Sequence, residues 1–95
     1  MIDTTLEATL ASFSGQVVIL DTQGPLIYIG TLAEIGRTFL VLTDADVHDR
    51  HDSAASKDLY VQQTAELGVR ANRSRVVIMR GEVASVSLLS EVRVG

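Results

Sequence analysis

Residues 26–47 of the chain read LIYIGTLAEIGRTFLVLTDADV. It holds two apolar, β-branched segments, 26–34 and 38–47, separated by the turn 35–37. Such a pattern predicts two neighbouring strands of one sheet. Gly30 lies inside the first strand, where a missing side chain is typical of a bulge, a sharp bend or a close backbone approach. We therefore expect a strongly bent sheet.

Three more strands and two helices are predicted outside this stretch. Residues 16–22 form an apolar strand before it, and residues 75–80 and 82–89 form two strands after it. The helices span about 4–13, ahead of the sheet, and about 54–67, between the third and fourth strands. The predicted fold is mainly β: a short helix and a five-stranded open barrel with a helical insertion, in one domain covering 1–95.

Helix-capping residues support both helices. Thr4 is the expected N-cap of the first helix, because Glu7 follows it at the spacing of a capping box. Either Ser53 or Ser56 is the expected N-cap of the second helix, and Gly68 stands where a C-terminal glycine is favoured.

Composition restricts the class of protein. The chain has 95 residues, of which 46% are hydrophobic and 21% charged, as in a globular domain. It has no cysteine, which excludes disulfides, thiolate zinc sites and cysteine nucleophiles. No apolar run reaches the roughly 18 residues of a membrane span, and the N-terminus has no signal-peptide pattern. We expect a cytoplasmic protein without a membrane contact or a cofactor.

Charge is distributed unevenly. The net charge of −4 argues against a broad basic surface for nucleic acid. Acidic residues are concentrated in 44–52, whereas Arg70, Arg73 and Arg75 are close together. The three arginines are interpreted as a solvated or intersubunit strip, with a phosphate-facing cluster as the alternative.

A small barrel of this kind leaves unpaired strands at its edges. An exposed apolar edge promotes aggregation unless another element covers it. Pairing with a second copy of the chain covers the edge, and head-to-tail pairing closes into a ring when the rotation per subunit allows it. We expect a homo-oligomeric ring of about five to seven subunits.

Two local patterns resemble the signatures of the Sm and Sm-like family, which includes RNA-associated rings and the bacterial RNA chaperone Hfq. Residues 28–32, YIGTL, followed by 40–45, LVLTDA, resemble the first signature, and residues 77–82, VIMRGE, resemble the second. With the leading helix, the resemblance covers 4–46 and 75–92. It implies an Sm-like barrel and an oligomeric ring.

The resemblance also implies an RNA site near the pore of the ring. It places Arg80 and Gly81 there, and Arg37 and Phe39 are the residues that would replace the family's base pocket. RNA-binding members carry an Asp and then an Asn in the turn that corresponds to 35–39, and this chain has neither. Arg80 is equally compatible with pairing to Asp44 or Glu82 of a neighbouring copy, and Phe39 with a place in the core.

Two further groups of residues are weaker candidates. Tyr60 and Leu67 on the inserted helix are candidates for a protein-binding face, with a plain packing stripe as the alternative. His48 and His51 have the spacing of a nitrogen-ligand pair for a metal, although these residue types are ordinary in solvated loops.

Three functional hypotheses follow from the sequence. The first is an Sm-like ring that binds single-stranded RNA near its pore. The second is a structural or adaptor ring that binds no nucleic acid and uses the inserted helix to contact proteins. The third is a metal-dependent activity around His48 and His51. The motifs of common enzyme classes are missing from the sequence, so we do not expect an enzyme.

Overall fold

A computed structural model describes residues 4–49, 51 and 56–93. It contains two α-helices, five β-strands and two short 3₁₀ turns. In chain order these are α1 (Thr4–Ser12), β1 (Val17–Thr22), β2 (Leu26–Ile35), β3 (Phe39–Asp49), α2 (Lys57–Leu67), β4 (Arg73–Met79), the turn Arg80–Glu82, β5 (Val83–Leu88) and the turn Leu89–Glu91.

The five strands form one antiparallel sheet in the order β4-β3-β2-β1-β5. Consecutive strands pair from β1 to β4, and β5 returns to the far side of β1. Within the described residues, β4 and β5 are therefore the two outer strands, and each has one side without a partner strand. The sheet is bent but not closed.

The backbones of β2 and β3 come close together at Gly30. A β-carbon on Gly30 would lie 2.9 Å from both Cα and Cβ of Ala45, so glycine alone fits this position without displacement. The pairing register shifts between Ile29 and Thr31, and Asp44 on β3 has a φ of 48°, in the left-handed region. This is the close backbone approach that the isolated glycine predicts.

The concave side of the sheet holds the main core. Alternate residues of each strand point inward, as the two-residue period of a strand requires. The fully or almost fully buried members are Val18, Leu20, Leu32, Leu40, Leu42, Ala45 and Ile78. Phe13, just after α1, packs against this core and Leu10 on α1 is buried, so the helix covers one end of the barrel.

A second apolar cluster lies on the opposite side of the sheet. It consists of Ile19, Ile27 and Ile29, which are buried under α2 and the C-terminal segment through Tyr60, Val61, Val69, Leu89 and Val92. This explains why β1 is apolar on both faces. The inserted helix is therefore part of the hydrophobic packing of the domain.

The limits of α2 are set by the residues at its two ends. Ser56 is the N-cap, since its hydroxyl accepts a hydrogen bond from the backbone N–H of Leu59 at 3.1 Å. Gly68 ends the helix with a φ of 89° and donates its N–H to the carbonyl of Thr64. The alternative N-cap, Ser53, and the predicted first helical residues 54 and 55 lie outside the described residues.

The predicted fold class is confirmed: a mainly β chain with a leading helix, five strands and a helix between β3 and β4. No helix in the described part of the chain has the length and apolarity needed to cross a membrane.

Candidate functional site

Two turns of the chain meet at one end of the barrel. The register between β3 and β4 pairs Phe39 with Met79, which places the turn after β2 beside the turn after β4. The backbone N–H of Arg80 donates to the carbonyl of Thr38 at 2.9 Å, and its Nη1 donates to the carbonyl of Gly36 at 2.9 Å. The sheet thus brings the turn that contains Arg37 next to the turn that contains Arg80, although the two turns belong to separate sequence signatures.

The guanidinium of Arg80 forms an ion pair with Glu7 on α1. Nη2 donates to Oε1 at 2.6 Å, and Nη1 lies 3.4 Å from Oε2. The Arg80 side chain is 18% exposed and that of Glu7 is 41% exposed. Such a forked arrangement is the strong form of a charge-assisted contact. Arg80 therefore has its carboxylate partner within its own chain.

Glu7 was not among the residues predicted for this site. Its spacing from Thr4 predicted a capping box, but Thr4 is the first helical residue and both carboxylate oxygens of Glu7 accept from Arg80. One signal pointed to the contact: Glu7 lies three residues before Leu10, the buried residue of α1, and so borders the face that packs on the barrel.

The other predicted RNA-site residues lie in the same two turns as Arg80 or directly beside them. Arg37 is exposed in the turn between β2 and β3, and Gly81 is exposed directly after Arg80. Phe39 is half-buried and its ring covers Gly36, where a β-carbon would overlap it. Phe39 thus lies at the rim of the barrel and is not among its buried core residues.

An apolar groove runs beside the ion pair. It has a volume of about 300 Å³ and lies between α1 and β5, with Leu6, Phe13, Val83 and Val86 among its walls and Arg80 at its edge. The Glu7–Arg80 ion pair therefore borders directly on an apolar surface.

A separate polar cluster fastens α2 to the sheet. The hydroxyl of Tyr60 donates to Oδ2 of Asp46 at 2.6 Å, and Nδ2 of Asn72 donates to Oδ1 of the same carboxylate at 3.0 Å. Burial, and then the hydrogen bond to Asp46, raise the pKa of Tyr60 far above its ordinary value. The phenol therefore remains a donor, and Tyr60 serves packing within the chain.

The two histidines occupy different environments. The ring of His48 stacks on Tyr60 with centroids 3.9 Å apart, and its Nε2 is buried without a hydrogen-bond partner among the described residues. His51 is exposed, and its backbone N–H donates to Oδ1 of Asp49 at 2.9 Å. The part of the chain that the structure covers has no group of three or more His, Asp or Glu side chains arranged to hold a metal ion.

The remaining candidates are on the surface. Leu67, at the end of α2, is 80% exposed, and Leu59 on the same helix is also exposed. Arg70, Arg73 and Arg75 are all exposed, and none of them forms an ion pair with another described residue. Tyr60 and Leu67 therefore differ in kind, since the first is half-buried and the second extends into solvent.

No protein-family model matches this sequence, and no curated protein matches it. The structure, in contrast, is similar to solved ones. An Sm protein from Pyrococcus abyssii, in complex with a uridine heptamer, has a TM-score of 0.60 at 14% identity, with 86% of this chain and 94% of that chain covered.

Two chains of the NatC complex are also similar. One comes from the complex bound to CoA, and the match covers 83% of this chain and 82% of that one. The other comes from the complex bound to Gag peptide and CoA, with 83% and 89% covered. Both have a TM-score of 0.56 at 18% identity. The strand order, the leading helix and these similarities together show that the chain has a divergent Sm-like fold with a helix inserted between β3 and β4.

Proposed function

We propose that this protein is a homo-oligomeric Sm-like ring that binds single-stranded RNA at the cluster formed by Arg80, Gly81, Arg37 and Phe39. The observation that carries the proposal is the contact between the two turns: the Arg80 side chain reaches the carbonyl of Gly36 at 2.9 Å. Two exposed backbone turns, two guanidinium groups and an aromatic ring then share one end of the barrel. The similarity to an Sm protein that holds a uridine heptamer supports this assignment.

The chemistry of the cluster suits a single strand. Guanidinium groups neutralise phosphates, and an aromatic face offers a stacking surface for an unpaired base. Each site alone has few contacts, but a ring repeats the site once per subunit. Repetition raises the effective affinity for a strand that passes several sites, because each further contact is intramolecular.

The two outer strands of the sheet support the ring. β4 is an outer strand of the sheet, and two of its apolar side chains, Val77 and Met79, are 45% and 54% exposed. An edge of this kind is an aggregation hazard unless it is covered. Pairing of β4 with β5 of the next copy would cover it and would leave no strand edge once the ring closes.

Native mass spectrometry tests the ring. We expect a single closed oligomer for the wild type and mainly monomer for Val77→Lys, because a lysine on an edge strand opposes strand pairing. Leu67→Lys is the matched control: it places the same charge on an exposed leucine of α2, outside both outer strands, and should leave the oligomer intact. A monomeric wild type at micromolar concentration would contradict the proposal.

Fluorescence anisotropy with uridine-rich and adenine-rich oligonucleotides tests RNA binding. Arg80→Ala should weaken binding by about tenfold or more, the effect of losing a charge-assisted contact. Arg93→Ala removes the same charge from an exposed position outside the cluster and should change binding far less. Binding that is indifferent to Arg80, in a variant that still forms the ring, would count against the site.

An adaptor ring without nucleic-acid binding is the second candidate. It is favoured by the exposed Leu59 and Leu67 on α2 and by the similarity to chains of the NatC complex, which is an assembly of proteins. An intact ring that binds neither oligonucleotide at low salt would favour this candidate over the first.

A further inference from the structure

We infer that Glu7 is an internal competitor for Arg80, which closes the proposed RNA site until a phosphate group displaces it. The inference deepens the proposed function and rests on it. It also fixes the kind of contact that Arg80 makes, since a phosphate and a carboxylate offer the same pair of acceptor oxygens to a guanidinium.

The geometry shows that Glu7 takes the binding edge of Arg80. The two terminal nitrogens face the two carboxylate oxygens, at 2.6 Å and 3.4 Å. Nη1 also donates to the carbonyl of Gly36, so this nitrogen has a second acceptor. A ligand that needs the forked edge of the guanidinium must therefore take the place of Glu7.

Charge decides which ligand can do so. The ion pair is neutral overall, and at 18% exposure the guanidinium is partly removed from water. A neutral base accepts weaker hydrogen bonds from a guanidinium than a carboxylate does, so a base that displaced Glu7 would leave Arg80 with a weaker partner. A phosphate carries a negative charge of its own and can replace the carboxylate without that loss. Arg80 is therefore assigned a phosphate contact, which leaves base stacking to Phe39.

The structure gives Glu7 a simple way to leave. Its side chain is 41% exposed on the solvent border of α1, so a rotamer change moves the carboxylate into water without unfolding the helix. The hydrogen bond from Nη1 of Arg80 to the carbonyl of Gly36 remains and keeps the guanidinium at the turn, while the backbone N–H of Arg80 still donates to Thr38. Release of Glu7 therefore opens a site that is already positioned.

Glu7→Gln tests the competition, because it removes the negative charge and keeps the size of the side chain. Binding of inorganic pyrophosphate is followed by NMR through the amides of Gly36 and Gly81, and binding of a uridine-rich oligonucleotide is followed by anisotropy. We expect a dissociation constant about fivefold lower for both ligands, in line with the strength of a partly exposed ion pair. The double variant Glu7→Gln with Arg80→Ala should lose this gain.

Glu66→Gln is the control for net charge, since Glu66 is exposed on α2. An equal gain in this control would overturn the competition and assign the effect to reduced repulsion of a polyanion. A gain in affinity does not arise from loss of folding, so the expected result is readable even when the variant is less stable.

The two ligands separate this inference from the proposed function. Tighter pyrophosphate binding by Glu7→Gln, with no oligonucleotide bound by any variant, would support the competition and end the RNA proposal. Equal oligonucleotide affinity of wild type and Glu7→Gln, together with weaker binding by Arg80→Ala, would overturn the competition and leave the RNA site in place. Unchanged affinity for both ligands would also overturn it.

Discussion

Replacement of Gly30 by alanine should lower the free energy of unfolding by about 3 kcal/mol, at the upper end of the cost of overpacking a rigid core. The new methyl carbon would lie 2.9 Å from Cα and Cβ of Ala45 and 3.1 Å from the carbonyl oxygen of Thr43. Two of these three atoms belong to the backbone of β3, so relief requires that the two strands separate. The change would also disturb the bend that brings both ends of the sheet around the core.

Urea unfolding at a fixed protein concentration measures this effect, because association with further copies would otherwise alter the apparent stability. Gly24→Ala is the matched control. A β-carbon there meets nothing within 4 Å, and we expect a change of less than about 1 kcal/mol. A Gly30→Ala protein as stable as the wild type would show that β2 and β3 do not approach as closely as described.

Replacement of Ile29 by alanine should lower the free energy of unfolding by about 3 to 4 kcal/mol, as is typical of large-to-small changes at fully buried sites. Ile29 lies on the outer side of the sheet, which in a bare barrel would face water. Here it is completely buried with Ile19 and Ile27, beneath α2 and the C-terminal segment. The predicted loss therefore measures how firmly the inserted helix is packed on the domain.

Leu67→Ala is the control for this second prediction. It truncates an aliphatic side chain on α2 itself, but one that is 80% exposed, so the stability should change by less than about 0.5 kcal/mol. Thermal and urea unfolding of the two variants give the comparison. Equal stability of Ile29→Ala and the wild type would mean that α2 leaves the outer face of the sheet in solution.

The packing of α2 bears on the adaptor hypothesis. Tyr60 is hydrogen-bonded to Asp46 and stacked on His48, so its side chain attaches α2 to β3. The exposed leucines, Leu59 and Leu67, are the apolar residues of α2 that a partner would meet. A protein-binding face on this helix would therefore be centred on those leucines.

The positions of the strands and helices along the chain were largely predictable. Period-two apolar patterns, turn residues and Gly30 are local signals, and neighbouring strands pair in chain order from β1 to β4. One sign of the second apolar cluster was present in β1, where the consecutive residues Val18, Ile19 and Leu20 are all apolar and both faces of the strand are therefore apolar. The element that covers Ile19 was not predictable, because contact between α2 and β1 depends on the three-dimensional path of the chain.

The candidate site was predictable only in part. Arg80, Gly81, Arg37 and Phe39 were nominated from the sequence through the family resemblance, and the register of β3 with β4 brings their two turns together. Glu7 was missed, since it is 73 residues from Arg80 in the chain and its local spacing indicated a cap.

Local sequence patterns were enough to infer the strands and helices, because alternation, helical spacing and turn residues act over a few neighbouring positions. They also led to the expectation that a small barrel leaves apolar strand edges without a partner strand. The carboxylate that pairs with Arg80 could be found only in the folded chain, because an ion pair between distant residues depends on how α1 docks over the end of the barrel. The contact between Glu7 and Arg80 at the proposed RNA site therefore follows from that docking and not from any local pattern.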